Sequence, residues 1–147
     1  MSSTVLKIIP TVPSYVPSSV QQNSSKAILT EFYKGNQIEF LSLDTIEFVD
    51  QGANFESVSC NVCRQDIPIE DWQNQMDKLY QNQFNDLTFQ TPCKHQTSVN
   101  DLNYKSPAGF AKFIISISDA QSELPKTSLE RLQEILGTPL RIVWAHY

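Results

Sequence analysis

Several features that mark familiar protein classes are missing from this chain of 147 residues. It has only four glycines, which leaves little room for the glycine-rich loops that hold phosphate groups. It contains no P-loop and neither of the hydrolase motifs His-Glu-x-x-His and Gly-x-Ser-x-Gly. No apolar run approaches the roughly 20 residues that a membrane-spanning helix needs. The sequence therefore predicts no membrane span and contains no motif that identifies a reaction.

Basic residues are too few and too scattered for a nucleic-acid binder. Eleven Lys and Arg face sixteen Asp and Glu, and the net charge is −5. Because Lys and Arg form no cluster, we expect no binding to nucleic acid. The acid is concentrated in residues 31–86, which favours a basic protein partner. The alternative is that these carboxylates only keep the protein soluble.

Cysteine is also scarce, and its pattern bears on the cellular compartment. The three cysteines are an odd number, and two of them form a Cys-x-x-Cys pair, which argues against a secreted disulfide framework. The N-terminal apolar stretch is too short for a signal peptide. We therefore expect the protein in the reducing cytoplasm.

The length fits one domain, residues 1–147, and the hydrophobic patterns predict both helices and strands. Helices are expected at about 19–33, 69–84 and 128–136, with a short capped helical turn at Ser98–Asn103. Strands are expected at Val5–Ile9, Gln37–Leu43, Ile46–Val49, Phe55–Ser59, Leu87–Thr91, Phe110–Ser118 and Leu140–Trp144.

Some predictions concern individual residues. Asp44-Thr45 is interpreted as the turn of a β-hairpin, and Thr127 with Glu130 as the capping box of the last helix. The apolar side of the first helix is expected to contain Val20, Ala27, Ile28 and Phe32. The apolar stripe of the second, which we expect in the core, contains Trp72, Met76, Leu79, Tyr80 and Phe84.

The two ends of the chain have the same layout of strand, helix and strand. Residues 4–43 and 110–144 each suggest a β-α-β unit with its two strands paired in parallel. We therefore predict an α+β fold with a mixed β-sheet and packed helices, in which Phe110–Ser118 is central. The segment between the two units is predicted to be an insert that carries the cysteines.

The insert contains the one strong chemical pattern in the sequence. Cys60 and Cys63 form a Cys-x-x-Cys knuckle after one predicted strand, and Cys93 and His95 follow another. Two thiolates at this spacing can bind one ion, and a second pair completes a tetrahedral set. We predict zinc-ribbon-like knuckles at 60–63 and 93–95 that bind one structural Zn²⁺ through Cys60, Cys63, Cys93 and His95.

Other interpretations of these residues remain open. The cysteines could be small buried residues with His95 at the surface, or Cys-x-x-Cys could be a redox pair at a helix N-terminus. A catalytic zinc would use three ligands, a water and a nearby base. The sequence marks no base among Asp66, Glu70 and Asp101. The other histidine, His146, is expected to be a surface residue rather than a ligand or an acid–base group.

Several stretches resemble a group of small uncharacterised bacterial proteins of the cytoplasm. In that group the knuckles usually read Cys-Pro-x-Cys-Gly and Pro-Cys-Cys-Gly. Here Asn61 and Arg64 replace the first proline and glycine, and Lys94-His95 replace Cys-Gly. The resemblance implies the same fold and the ligands Cys60, Cys63 and Cys93, while His95 rests on its chemistry. It covers Lys7–Pro10, Phe48–Cys60, Pro92–Cys93, Val99–Tyr104, Pro107–Phe110 and Pro139–Tyr147.

No catalytic residues stand out, so a binding role is the leading expectation. The sequence favours a non-catalytic protein-binding module with a structural zinc site, in its most concrete form an immunity or antitoxin protein. The alternative from another class is a small zinc-dependent hydrolase that uses the three cysteines as ligands.

Overall fold

The structure is a computed structural model that describes residues 3–147, so residues 1 and 2 of the expected 1–147 domain lie outside the described part. It contains both helices and strands, as the α+β prediction requires. In chain order the elements are β1 (Thr4–Pro10), α1 (Ser19–Phe32), β2 (Ile38–Val49), β3 (Val58–Ser59), α2 (Ile69–Gln81), β4 (Thr88–Gln90), β5 (Gln96–Ser98), β6 (Asn103–Tyr104), β7 (Gly109–Ser118), α3 (Lys126–Leu136) and β8 (Leu140–His146).

The main sheet has four strands in the order β2-β7-β1-β8, and every neighbouring pair is antiparallel. The predictions of a mixed sheet and of two directly paired parallel strands at each end are therefore wrong. β1 and β2 do run in the same direction, but β7 lies between them and is antiparallel to both. Hydrophobic periodicity marks each strand without saying which strand lies beside it. The central place of β7 is confirmed.

One face of the sheet packs against α1 and α3. The predicted buried side of α1 is wrong, because Val20 is 74% exposed and the residues of this helix that are buried are Ser25 and Leu29. Ser25 is small, and its hydroxyl donates a hydrogen bond to the Gln22 carbonyl at 2.7 Å. A polar residue paired in this way can be buried without a large cost. The core on this face contains Leu6, Ile8, Leu29, Tyr33, Phe113, Ile115, Ile117, Leu132 and Leu136.

The helices α1 and α3 begin in different ways, and of the two only α1 has a side-chain cap. α1 begins with a capping box in which the Ser18 hydroxyl and the Gln21 side chain each accept from the other's backbone amide. α3 has no side-chain cap, so the predicted Thr127–Glu130 box is wrong. Pro125 stands before α3 and presets the backbone angle φ, so that the helix begins at Lys126 and Thr127 lies inside its first turn. Gly137 ends α3 in the left-handed conformation, at φ 75°.

β2 is one long strand instead of the predicted hairpin. Its register against β7 breaks between Ser42 and Glu47, where five steps along β2 match two steps along β7. This bulge adds an odd number of residues and therefore turns the following side chains to the opposite face. The hairpin signal at Asp44-Thr45 marks this bulge. Before it Ile38 and Phe40 pack towards α1 and α3, and after it Ile46 and Phe48 pack towards α2.

The chain between β2 and β7, called the insert below, packs with Ile46 of β2 and Phe110 of β7 in a second core. β3 pairs with β6 and β4 pairs with β5. At the predicted helical turn 98–103, the chain makes one hydrogen-bonded turn between β5 and β6. The Asp101 amide donates to the Ser98 carbonyl at 2.9 Å, and the Ser98 hydroxyl accepts from the Asn100 amide at 3.2 Å. Tyr80, predicted in the core, is 71% exposed. The core contains Ile46, Val58, Ile67, Trp72, Leu79, Phe84, Phe89, Val99, Leu102, Tyr104, Ala108 and Phe110.

A buried polar network connects the insert to the main sheet. The Asn100 side chain, in a residue only 4% exposed, accepts from the Phe110 amide at 3.0 Å and donates to the Thr11 carbonyl at 3.1 Å. Arg141 on β8 donates to the carbonyls of Asn100 and Ala108, both at 2.9 Å. Since each of these groups has a partner, the junction is polar without leaving a buried donor unsatisfied. Within residues 3–147 no helix is long and apolar enough to cross a membrane.

Lys7, Asp50 and Tyr147 form a second polar group that holds the C-terminus. The Lys7 ammonium lies 3.4 Å from Asp50 Oδ1, and the Tyr147 hydroxyl donates to the same oxygen at 3.0 Å. Partial burial opposes ionisation of Asp50, but Lys7, Tyr147 and the Gly52 amide outweigh it and lower the pKa of Asp50.

Asp50→Asn is expected to remove part of the acid sensitivity of the fold. A carboxyl whose folded-state pKa is lowered stabilises the protein above its unfolded pKa of about 3.9, and this contribution is lost as the pH falls through the folded-state value. Because Asp50 is 42% exposed, we expect less than about 1 kcal/mol. Urea denaturation from pH 6 to pH 3 measures it, and identical pH dependence in the variant would contradict the prediction.

Candidate metal centre

The first knuckle is a tight turn directly after β3. The Cys60 amide donates to the Gln65 carbonyl at 2.9 Å, and the Arg64 amide donates back to the Cys60 carbonyl at 2.8 Å. Arg64 has φ 65°, a left-handed conformation that costs a residue with a side chain about 1 kcal/mol or more. The Val62 amide lies 3.4 Å from Cys60 Sγ and points at it. The turn therefore surrounds the Cys60 sulfur with backbone donors.

The second knuckle is the turn between β4 and β5, and Thr91 organises it. The Thr91 amide donates to the His95 carbonyl at 2.9 Å, and the Thr91 hydroxyl accepts from the His95 amide at 3.0 Å. The same hydroxyl lies 3.0 Å from Cys93 Sγ. Lys94 has φ 68° in the middle of this turn. Thr91 was not among the site residues expected from the sequence, because a threonine at the end of a strand is ordinary.

The two knuckles bring all four predicted ligands together. The ligand atoms of Cys60, Cys63, Cys93 and His95 lie within 4.8 Å of one another. His95 Nδ1 is 3.6 Å from Cys60 Sγ and 3.5 Å from Cys93 Sγ, and the sulfurs of Cys63 and Cys93 are 3.2 Å apart. All three cysteines are free, so no disulfide competes for them. This cluster could hold a metal ion.

Three of the six distances between ligand atoms can be compared with those around a tetrahedral zinc ion. With zinc–sulfur bonds of about 2.3 Å and zinc–nitrogen bonds of about 2.0–2.1 Å, tetrahedral angles separate sulfur from nitrogen by roughly 3.5 Å and two sulfurs by roughly 3.8 Å. Both distances from His95 Nδ1 agree with the first value. The separation between Cys63 and Cys93 is shorter than the second, so this pair would open slightly around an ion. Three thiolates and an imidazole are also a donor set typical of structural zinc.

The surroundings of the ligands favour the thiolate form of two cysteines. Burial opposes ionisation of Cys60, but the backbone amides of Cys63 and Val62 outweigh it and lower the pKa of Cys60 to about 6. The Thr91 hydroxyl lowers the pKa of Cys93. The Gln65 amide favours the Cys63 thiolate, but the Cys93 and Cys60 sulfurs outweigh it and raise the pKa of Cys63.

The adjacent sulfurs also raise the pKa of His95, because Cys93 and Cys60 accept hydrogen bonds from its imidazolium. A metal ion binds the neutral ring and thiolates, so its binding would release protons from His95 and Cys63. A divalent cation would therefore replace the protons that His95 and Cys63 hold.

The other residues considered in the sequence lie apart from this cluster. None of Asp66, Glu70 and Asp101 belongs to the group of close ligand atoms. His146 lies in β8, where its Nδ1 is 3.3 Å from the Thr4 hydroxyl, and it is no part of the cluster. The knuckle is followed by an isolated bridge at Asp66, and α2 begins only at Ile69. Cys60 and Cys63 are therefore not at a helix N-terminus, where a thioredoxin-like redox pair would stand.

A shallow pocket of about 340 Å³ lies beside the first knuckle and contains Asn61, Arg64 and Asp101 in its wall, but none of the four ligands. The wider groove of the molecule is lined by β2, α2 and the residues that follow α2, and no ligand lines it either. No protein-family model, curated protein or solved structure matches this chain.

Proposed function

We propose that this chain is a non-catalytic protein-binding module whose insert is held by a structural Zn²⁺ ion bound to Cys60, Cys63, Cys93 and His95. The observation that carries the proposal is the closed ligand set. Structural zinc sites use four protein ligands, whereas catalytic ones use three and leave a position for water. Here four ligand atoms converge within 4.8 Å, and they come from two turns that are far apart in sequence.

A zinc-dependent hydrolase fits these residues less well. It would need His95 to leave the cluster, although its Nδ1 is within 3.6 Å of two of the sulfurs. It would also need a base near the ion. Among the described residues, the hydrogen bonds and ion pairs of the four ligand side chains include no carboxylate. The geometry therefore favours an ion that holds two turns together.

Cobalt substitution separates the two kinds of site. Co²⁺ in a closed tetrahedral site of sulfur and nitrogen ligands gives visible bands that do not depend on small ligands in solution. We expect the spectrum of the cobalt protein to stay unchanged when azide or thiocyanate is added in excess. A saturable spectral change would reveal an exchangeable position and support the hydrolase instead.

For the binding role, an immunity- or antitoxin-like function is the most concrete form of the proposal. The acidic balance of the chain and the absence of a catalytic motif in the sequence favour it. If a basic toxin is encoded beside this chain, co-expression should suppress its toxicity, and the two proteins should co-purify. Toxicity that persists despite a stable, zinc-loaded chain in the same cells would count against this role.

A further inference from the structure

A groove between β2 and α2 has a volume of about 720 Å³. One wall is Thr45–Phe48 on β2, and the other is the side of α2 that carries Met76, Asp77 and Tyr80. Successive side chains of a strand point to opposite faces, yet Glu47 and Phe48, which follow the bulge in β2, both line the groove. The groove therefore runs along the edge of the strand instead of over one face of the sheet.

This edge of β2 is open within the described part of the chain. β2 is the outermost strand of the sheet and pairs only with β7. An outermost strand presents backbone N–H and C=O groups that an extended peptide can pair with. The segment Thr45–Phe48 covers about 13 Å at the rise of a strand, enough for about four residues of such a peptide.

The floor of the groove is apolar, and an aromatic ring stands at its rim. Ile46 and Phe84 are buried there, and Phe84 packs edge-on against Phe110 with ring centroids 5.2 Å apart. Gln83 and Phe84 both have left-handed backbones, at φ 55° and 56°, which turn the chain back beneath α2. Tyr80 is 71% exposed, and its ring packs edge-on against Phe84 with ring centroids 5.7 Å apart. Exposed aromatic rings of this kind often anchor a bound protein segment.

The charge of the groove is of one sign. Glu47 lies on the strand side and Asp77 on the helix side, while no Lys or Arg of residues 3–147 lines it. By contrast, the other carboxylates of residues 31–86 are spread over α1, β2, α2 and the loops. Two of the eleven carboxylates of residues 31–86, Glu47 and Asp77, therefore line this groove, where they lie beside an apolar floor and an open strand edge.

We infer that this groove binds an extended segment of a protein partner, with alternating apolar and basic side chains, which adds to β2 as an outer strand. The inference deepens the proposed binding function and rests on it. The apolar side chains would lie on Ile46 and Phe84 beside Tyr80, and the basic ones would reach Glu47 and Asp77. Backbone hydrogen bonds to β2 would supply binding independent of sequence, and the charges would select the partner.

Fluorescence anisotropy with a labelled peptide of alternating Lys and Leu tests this inference on the full chain. We expect saturable binding that weakens about tenfold in Glu47→Lys and again in Asp77→Lys, since each removes one opposing charge and adds a like one. Glu31→Lys on α1 is the matched control with the same change of net charge, and its binding should stay close to that of the native protein. Equal weakening by all three variants would show that net charge alone attracts the peptide and would overturn the inference.

Two further probes test strand addition itself. The same peptide with N-methylated backbone amides at alternate positions should lose binding, and hydrogen exchange should show new protection at the amides of residues 44–49 when the unmodified peptide binds. Unchanged binding of the methylated peptide, or protection elsewhere, would overturn the inference. Dimerisation of the chain that Glu47→Lys abolishes would also overturn it, because a second copy would then occupy the edge. None of these outcomes affects the cobalt spectrum, so a failure here is distinguishable from a failure of the proposed zinc site.

Discussion

Replacing Cys60 by serine is expected to lower the free energy of unfolding by several kcal/mol and to abolish zinc binding. The free energy of binding a structural zinc is also folding free energy, because the unfolded chain has no preformed site. Cys60 is fully buried and lies where β3 meets the turn, so the loss of its bond to zinc also loosens β3 and β6. Urea denaturation of the zinc-loaded native protein and the variant measures the difference.

Val62→Ala is the matched control in the same turn. Its side chain is 57% exposed, and the backbone amide that points at Cys60 Sγ is kept. We expect a change of less than about 0.5 kcal/mol, as for most exposed sites. A chelator should lower the stability of the native protein and of Val62→Ala while leaving Cys60→Ser unchanged. If Cys60→Ser were as stable as Val62→Ala in the presence of zinc, the structural role of the ion would be contradicted.

The second large effect is expected from Phe110→Ala, about 3–5 kcal/mol of lost stability. Phe110 is fully buried where β7 meets the insert, with ring centroids 5.1 Å from Phe48 and 5.2 Å from Phe84. Removal of the ring leaves a cavity at this junction. Because the insert carries all four ligands, the variant should also bind zinc more weakly, which competition with a chromophoric chelator can measure.

Phe113→Ala is the variant that distinguishes a loss of stability from a loss of zinc affinity. Phe113 is fully buried as well, but it packs in the other core with α1 and α3. It should lose a similar amount of stability while the folded protein keeps its zinc affinity. Equal losses of zinc affinity in both variants would show that the two cores do not act separately on the site.

The site could be found in the sequence because its signal is local. Each knuckle is a short turn after a strand, and the spacing Cys-x-x-Cys and the pair Cys93 and His95 are visible without knowing the fold. The sequence could not show that the two turns meet in space, because 29 residues separate them. The role of Thr91 could not be predicted from the sequence, for another reason. Its hydroxyl acts through the backbone of the turn, and a threonine at the end of a strand is ordinary.

The fold was harder to predict where contacts between residues far apart in the sequence determine the structure. The helices and strands at both ends were found, although the buried side of α1 was predicted wrongly. The place of β7 between β1 and β2 depends on pairing across more than 60 residues, and no local pattern encodes it. The bulge in β2 resembled a hairpin because both need turn-forming residues, here Asp44 and Thr45. Tyr80 has the spacing of a core residue, but Phe84 turns beneath it and fills that position.

Elemental analysis of the purified chain, expressed without an affinity tag that binds metals, tests the zinc site most directly. We expect about one zinc ion per chain in the native protein and in Val62→Ala, and none in Cys60→Ser, because a closed set of four ligands holds one ion and fails when one is lost. A folded native protein that contains no zinc, takes up none on addition of zinc chloride and keeps its stability in a chelator would contradict the site.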